Sequence, residues 1–308
     1  MSTAYLFPGQ GSQHVGMGRD LYQREPAARA VFDQADDLLG FPLSRLCFDG
    51  PQETLTDTVN QQPALFVTSL AAWAVIRERD EWPAPAYLAG HSLGEFSALT
   101  AAGALTFADG LALVRRRGEL MKAAGDENPG AMAAILALDE ELVQAVCRQA
   151  QEKTGRPVQL ANDNCPGQAV ISGDEQALQE AMQLARDAGA RKVVRLPITI
   201  AAHSPLMRSA ADSFARTVQN TPIAGATIPV VANTSAQPMT TPEEIRGELI
   251  AQLTGNVRWA ESMRFLRQEG VQSFVEVGPG DVLTSLMKRI DRKAQRVTFE
   301  PSNIGEKE

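Results

Sequence analysis

Three side chains stand where they could act on a bound molecule: Ser92, Arg117 and His203. Ser92 is the centre of Gly90-His91-Ser92-Leu93-Gly94, a G-x-S-x-G spacing. An apolar run at residues 86–89 precedes it and residues 95–102 read as the start of a helix, so the order is strand, tight turn, helix. In such an elbow the glycines have a physical task. The sharp turn forces strained backbone angles and brings helix close to strand, which a Cβ would obstruct. The serine is then carried on the tip, and the N–H of Leu93, at the positive end of the helix, can point at a developing oxyanion. A serine between glycines also occurs in ordinary turns; the strand before it and the helix after it favour a nucleophile.

Residues 107–124 read as a second helix. At about 100° per residue, Leu111, Leu113, Val114, Leu120 and Met121 share an apolar sector that also contains Arg117, whereas Arg115 and Arg116 fall on the polar side with Glu119 and Lys122. A buried guanidinium costs several kcal/mol unless it is paired. Three readings follow: an ion pair to one of the Asp or Glu residues, an arginine that snorkels out to water, or a fork for the carboxylate of a substrate. A nucleophilic serine also needs a base, and the chain has three histidines. His91 adjoins Ser92 and points elsewhere, and His14 lies on a loop. His203 precedes Ser204, a good N-cap, and Pro205, a good first helical residue, with Met207, Ala210, Ala211 and Phe214 as the apolar stripe. A lone histidine at a helix start is commonly a local hydrogen-bonding residue; by elimination His203 is also the candidate base.

These groups need a frame. Residues 4–7 read as a strand running into Pro8-Gly9-Gln10-Gly11-Ser12-Gln13, a loop that is either a plain glycine turn or a close backbone approach to a ligand; it lacks the G-x-G-x-x-G spacing of a dinucleotide site. Helices are expected at 27–39 and 62–79, joined by a polar segment. Between about residues 128 and 197 the pattern becomes β-α-β-β-α-β: strands at 131–138, 157–161, 168–172 and 192–197, helices at 139–153 and 175–188. This predicts an inserted ferredoxin-like small domain (128–197), entered through the turn-rich 125–130. Beyond it, strands are expected at 228–232 and 273–277 and helices at 242–253, 257–268 and 282–290, with a frayed end from about Pro301. Strands alternating with helices, with the nucleophile at a strand's carboxyl end, predict an α/β-hydrolase-like catalytic domain (1–127 and 198–308) built on a mostly parallel sheet.

Composition narrows the function classes. A chain of 308 residues, 44% hydrophobic, can bury a large core with a smaller satellite. The net charge of -8 leaves no basic footprint for nucleic acid, and no basic amphipathic helix addresses a membrane. MSTAYLFPGQGSQ has no cationic start, which argues against a signal peptide, and no apolar run approaches membrane length, so a cytoplasmic protein is expected. Cys47, Cys147 and Cys165 are odd in number without C-x-x-C spacing, which suggests neither disulfides nor zinc, and three histidines argue against a multi-histidine metal site.

With these residues assembled, the chain resembles the malonyl-CoA:acyl carrier protein transacylase family, including the acyltransferase domains of fatty acid and polyketide synthases. The resemblance runs over nearly the whole length: FPGQGSQ at 7–13, QPALF at 62–66, GHSLGE at 90–95, RRG-x-x-M at 116–121, GAMAAI at 130–135, NCPGQAVISG at 164–173, AAHSPLM at 201–207 and VEVGPG-x-VL at 275–283. It implies Ser92 as nucleophile, His203 as base, Arg117 as carboxylate clamp, and the backbone of Gln10 and Leu93 as oxyanion donors. It further implies that Gln252 lines the site, its backbone carbonyl orienting the histidine, and that Asn162 lines it too. The implied reaction moves a malonyl group from malonyl-CoA to the phosphopantetheine thiol of an acyl carrier protein through a malonyl-serine, in fatty acid biosynthesis. No metal or redox cofactor is needed, and a monomer is expected. Two departures stand out: Cys165 where many relatives have serine, and Ala201-Ala202 before His203, a variable spot that bears on acyl choice. Competing readings are a malonyl transferase subunit of a malonate decarboxylase, a trans-acting polyketide acyltransferase, a serine hydrolase, which has no use for an inward arginine, and a non-catalytic carrier-binding protein.

Overall fold

The computed structural model describes residues 2–299. In chain order its strands are β1 (Thr3–Phe7), β2 (Pro85–Gly90), β3 (Gly130–Leu136), β4 (Val158–Cys165), β5 (Gln168–Asp174), β6 (Lys192–Arg195), β7 (Val230–Val231), β8 (Pro238–Met239), β9 (Ser273–Glu276) and β10 (Gln295–Thr298). They form a six-stranded sheet in the order β10-β9-β1-β2-β7-β8 and a four-stranded sheet in the order β4-β5-β3-β6. The larger sheet is parallel except for the β7–β8 pair. The smaller one is antiparallel throughout.

Parallel strands with helices on both faces are buried on both sides, and β1 shows it. Tyr5 and Phe7 join the core under the helix Thr58–Arg77, whereas Ala4 and Leu6 point to the opposite face with Trp259, Met263 and Leu286. A separate cluster, with Ile135, Val146, Leu160, Ile171 and Leu178, fills the space between the small sheet and its two helices, Glu140–Thr154 and Glu175–Asp187. The element order expected for residues 128–197 is therefore observed.

Several boundaries differ from the sequence reading. The helix expected at 62–79 is Thr58–Arg77, with Pro63 inside it and Asp57 accepting from Val59 N at 3.0 Å as its N-cap. A proline cannot donate to the carbonyl four residues back. That carbonyl, Val59 O, instead accepts from Arg115 Nη1 at 3.2 Å, so the helix tolerates the proline. The helix expected at 257–268 begins only at Trp259, because Val257 lies extended beside β4, donating to Ala161 O at 2.8 Å and accepting from Asp163 N at 3.0 Å. The first half of the turn expected at 125–130 is helix, since Phe107–Glu127 runs to within three residues of β3. The polar segment before the long helix holds the short helices Leu43–Asp49 and Gln52–Thr56, and the strand at 228–232 shrinks to β7. The tail from Pro301 lies outside the described residues.

At the elbow the two glycines are required by contact. A Cβ on Gly90 would sit 1.9 Å from the Gly94 carbonyl carbon, and one on Gly94 would sit 2.0 Å from Phe7 O. The strained backbone angle falls on the serine: Ser92 has φ 51°. Because the obstructing atoms are main chain of β1 and the elbow itself, Gly94→Ala is expected to lose about 1–3 kcal/mol, the usual scale of overpacking. The urea midpoint should fall accordingly; a midpoint equal to the parent's would mean that helix and strand can separate without cost.

Candidate active site

Four segments far apart in sequence converge on the tip of the elbow. Ser92 Oγ lies 2.8 Å from His203 Nε2 and accepts from Arg117 Nη2 at 3.1 Å. Ser92, His203, Arg117 and Gln252 are all buried. His203 occupies the turn before Pro205–Met207 with φ 57°, its N–H donating to Leu253 O at 3.1 Å. Its Nδ1 faces two backbone carbonyls, Gln252 O at 2.9 Å and Gly255 O at 3.0 Å. Carbonyls only accept, so Nδ1 carries the proton and Nε2 presents a lone pair to the serine hydroxyl. Burial first, and the Arg117 charge second, bring the His203 pKa down to about 3. The imidazole is therefore neutral at physiological pH.

Arg117 sits on the inward face of its helix, while Arg115 and Arg116 pair with Glu119 at 3.1 and 3.3 Å. It is completely buried, which removes the snorkelling reading, and no carboxylate lies within ion-pair distance of it among the described residues. Its partners are neutral: Gln62 Oε1 at 2.9 Å, Gln252 Oε1 at 3.1 Å, Ser92 Oγ, and the face of Phe96 5.7 Å away. Its Nε–H has no acceptor among the described residues. Burial lowers its pKa to about 10, which leaves the guanidinium charged.

The loop after β1 crosses beside the elbow, His91 N donating to Phe7 O at 3.0 Å. Gln10 is exposed on that loop and its side chain donates to Gln61 Oε1 at 2.6 Å. The backbone N–H groups of Gln10 and Leu93 donate to no acceptor among the described residues. Asn162 is buried in β4 beside Val257, and its side chain makes no hydrogen bond to Ser92, His203 or Arg117. The β4 side chain that reaches the pair is Gln159, whose Nε2 donates to His203 O at 2.8 Å and Thr254 O at 2.9 Å. His91 is turned away from the serine hydroxyl, as expected; its Nε2 donates to Asn164 Oδ1 at 2.8 Å. The His14 ring has its Nδ1 3.4 Å from Ser12 O on its own loop.

Sequence reasoning missed the polar groups under the elbow. Asn233, just past β7, accepts from Ser92 N at 2.7 Å and donates to Gly90 O at 2.8 Å. Glu95 lies fully buried one turn after the serine and accepts twice from Asn233, each at 2.8 Å. Two signals were available. Gln61-Gln62 lies in the first turns of a largely apolar helix and Glu95 stands in an apolar run, and a buried polar group demands a partner. Asn233 carried no such signal, because its environment is made by a neighbouring strand.

Residues 4–301 match the acyl transferase domain family. The chain is 46% identical over 302 residues to a malonyl CoA-acyl carrier protein transacylase of Bacillus subtilis, a match covering 98% of this chain and 94% of that protein. It is similar at TM-score 0.94 and 39% identity to a malonyl-transacylase solved in complex with its type II PKS acyl-carrier protein, over 97% of this chain and 96% of that one. The malonyl CoA-acyl carrier protein transacylase of Coxiella burnetii superposes at TM-score 0.93 with 38% identity, covering 97% of this chain and 93% of that one. With a match of this extent, and a serine that touches both a histidine and an arginine, the chain belongs to the acyl transferase domain family.

Proposed function

We propose that the protein transfers a malonyl group from malonyl-CoA to the phosphopantetheine thiol of an acyl carrier protein, in fatty acid biosynthesis. The observation that carries this reading is Arg117: a buried, charged guanidinium touching the nucleophile's oxygen, with no anionic partner in contact among the described residues. A hydrolase of neutral esters has no use for such a group. A substrate carboxylate supplies the missing anion, and the planar fork can hold it at two oxygens.

His203 Nε2 takes the proton of Ser92 as Oγ attacks the thioester carbonyl carbon. The oxyanion is received by the N–H groups of Gln10 and Leu93. The carbon–sulfur bond breaks, and the departing CoA sulfur takes the proton from Nε2, leaving a malonyl ester on Ser92 anchored to Arg117. The carrier thiol then gives its proton to Nε2 and attacks the ester, and the released serine oxygen recovers that proton. The Gln252 and Gly255 carbonyls support the transient imidazolium where a triad would use a carboxylate. Every step runs on groups of the chain, so the reading requires no metal or redox cofactor. It assigns residues 1–127 and 198–308 to an α/β-hydrolase-like catalytic domain and 128–197 to a ferredoxin-like subdomain, supported by the 4-1-3-2 order of the small antiparallel sheet. Asn162 is assigned a place on the wall between the two. We further propose a monomer acting in the cytoplasm; no described helix is long and apolar enough to cross a membrane.

The likeness to a transacylase solved with a type II PKS acyl-carrier protein favours a second reading of the pathway alone, in which the carrier serves polyketide assembly. Rates with a fatty acid carrier and a polyketide carrier separate the two.

Three outcomes are expected. Intact-mass spectrometry after mixing with malonyl-CoA should show one malonyl adduct on the parent and none on Ser92→Ala, with His203→Ala forming it at least about a hundredfold more slowly. An adduct on Ser92→Ala would mean that another group is the nucleophile.

Arg117→Ala should depress malonyl transfer and narrow the preference for malonyl-CoA over acetyl-CoA, and Arg117→Lys should restore only part of it, since a point charge replaces a fork. The measurement is kcat/KM for both donors; an unchanged ratio in Arg117→Ala would make the arginine structural.

The third concerns pH. Since kcat/KM reports groups of the free enzyme, acylation of Ser92 by a neutral ester should not fall as pH drops through 6.5, the ordinary imidazole value, because His203 is held far below it. In Arg117→Met the repulsion is gone while burial stays, so the acidic limb should move to higher pH without reaching that of a free imidazole. A parent limb centred near 6.5 would refute the assignment of a buried neutral base.

A further inference from the structure

Beneath the reacting atoms lies a carboxyl group for which the mechanism above has no use. Glu95 is fully buried, and among the described residues its carboxyl oxygens face only N–H donors. Oε1 accepts from Asn233 N and Asn233 Nδ2, each at 2.8 Å, and Oε2 accepts from Gln252 Nε2 at 2.5 Å. An ionised carboxylate accepts only, whereas a protonated one must place an O–H against one of these donors. Burial, and then repulsion from the nearby Glu248, push its pKa well above the usual carboxylate range, and the Asn233 and Gln252 donors act against them. The Arg117 charge also lies near enough for Glu95 to stabilise it.

The two amides that Glu95 holds touch the reaction centre at different points. Asn233, with both donors committed to Glu95 and Gly90 O, turns Oδ1 to the N–H of Ser92. Gln252, with Nε2 committed to Glu95 and to Ser92 O at 3.0 Å, turns Oε1 to Arg117 Nη2. An amide has one accepting end and one donating end, so each orientation follows from where the carboxylate stands.

Resting on the malonyl-transfer reading, we propose that Glu95 is a positioning residue: as an acceptor-only carboxylate it fixes the Gln252 amide, so that Gln252 Oε1 holds the Arg117 guanidinium in place for the substrate's carboxylate. Glu95→Gln isolates this role. Asn233 brings two donors to Oε1, so the new side chain keeps its oxygen there and presents its NH₂ to Gln252. Gln252 then flips, directing a donor at Arg117 and an acceptor at Ser92 O. The elbow loses the hydrogen bond from Gln252 to Ser92 O and keeps those of Asn233 to Ser92 N and Gly90 O, which hold the serine in place.

The test measures, on the purified full chain, KM and kcat for malonyl-CoA with one carrier, the rate of Ser92 modification by a neutral sulfonyl fluoride, and the thermal midpoint. Glu95→Gln is expected to raise KM for malonyl-CoA about tenfold, the scale of one lost charge-assisted hydrogen bond, with sulfonylation within about twofold of the parent. An unchanged KM, or a fall in sulfonylation matching the loss of malonyl transfer, would overturn the proposal, the latter by showing general support of the elbow. Should Glu95→Gln fail to fold, Gln252→Met carries the same test, since it removes the amide and keeps the carbonyl that faces His203. It should reproduce the selective rise in KM, and where both variants fold, the double variant should add nothing further; additive effects would show that Glu95 does not act through Gln252. A parent that forms no malonyl adduct would instead refute the reading on which the proposal rests.

Discussion

A guanidinium in the protein interior without a contacting anion is the constraint to which the rest of the site answers. Desolvating Arg117 costs several kcal/mol, and no single neutral partner offsets that. The structure distributes the work among Gln62, Gln252, the serine oxygen, the face of Phe96 and, at longer range, Glu95. The arrangement is adequate for holding a cation and incomplete as solvation, with Nε left unsatisfied. A carboxylate entering such a place is bound because the protein has already borne the cost of preparing it.

The same charge shapes the histidine. His203 is neutral because burial disfavours its cation and Arg117 opposes it further. On the proposed malonyl-transfer reading, an anionic donor that neutralises the arginine relieves part of that opposition as it binds, so its carboxylate serves recognition and also improves proton acceptance at Nε2. A carboxylate partner for His203 would work against this, since it would hold a positive charge beside the arginine before substrate arrives. Two carbonyls supply direction and a partial negative charge without that effect.

Both sheets hold the reacting pair in register. The elbow belongs to the larger sheet through β2 and the glycine contact with Phe7 O. Strand β4 of the smaller sheet grips the other side, Gln159 holding the carbonyl of His203 and Asn164 holding His91 beside the nucleophile. Two residues in left-handed backbone angles, Ser92 and His203, thus face each other across the junction, each fixed by hydrogen bonds to groups distant in sequence.

What the amino-acid sequence determined by itself is local. The serine elbow was legible because its glycines act within four residues, the inward face of Arg117 because helical periodicity repeats within a turn, and the β-α-β-β-α-β order because each element declares its own period. Helix starts were misjudged at Thr58 and Trp259, where a remote group decides: Arg115 takes the carbonyl that Pro63 leaves open, and β4 keeps Val257 extended. The sequence left three fates open for Arg117, and only the tertiary structure chose, by burying it completely and bringing amides where a carboxylate could have stood. Asn233, Glu95 and Gln252 became one network only when the strand order set β7 beside β2, because the partner of a buried polar group is a property of the packed elements around it and is written in no single segment of the chain.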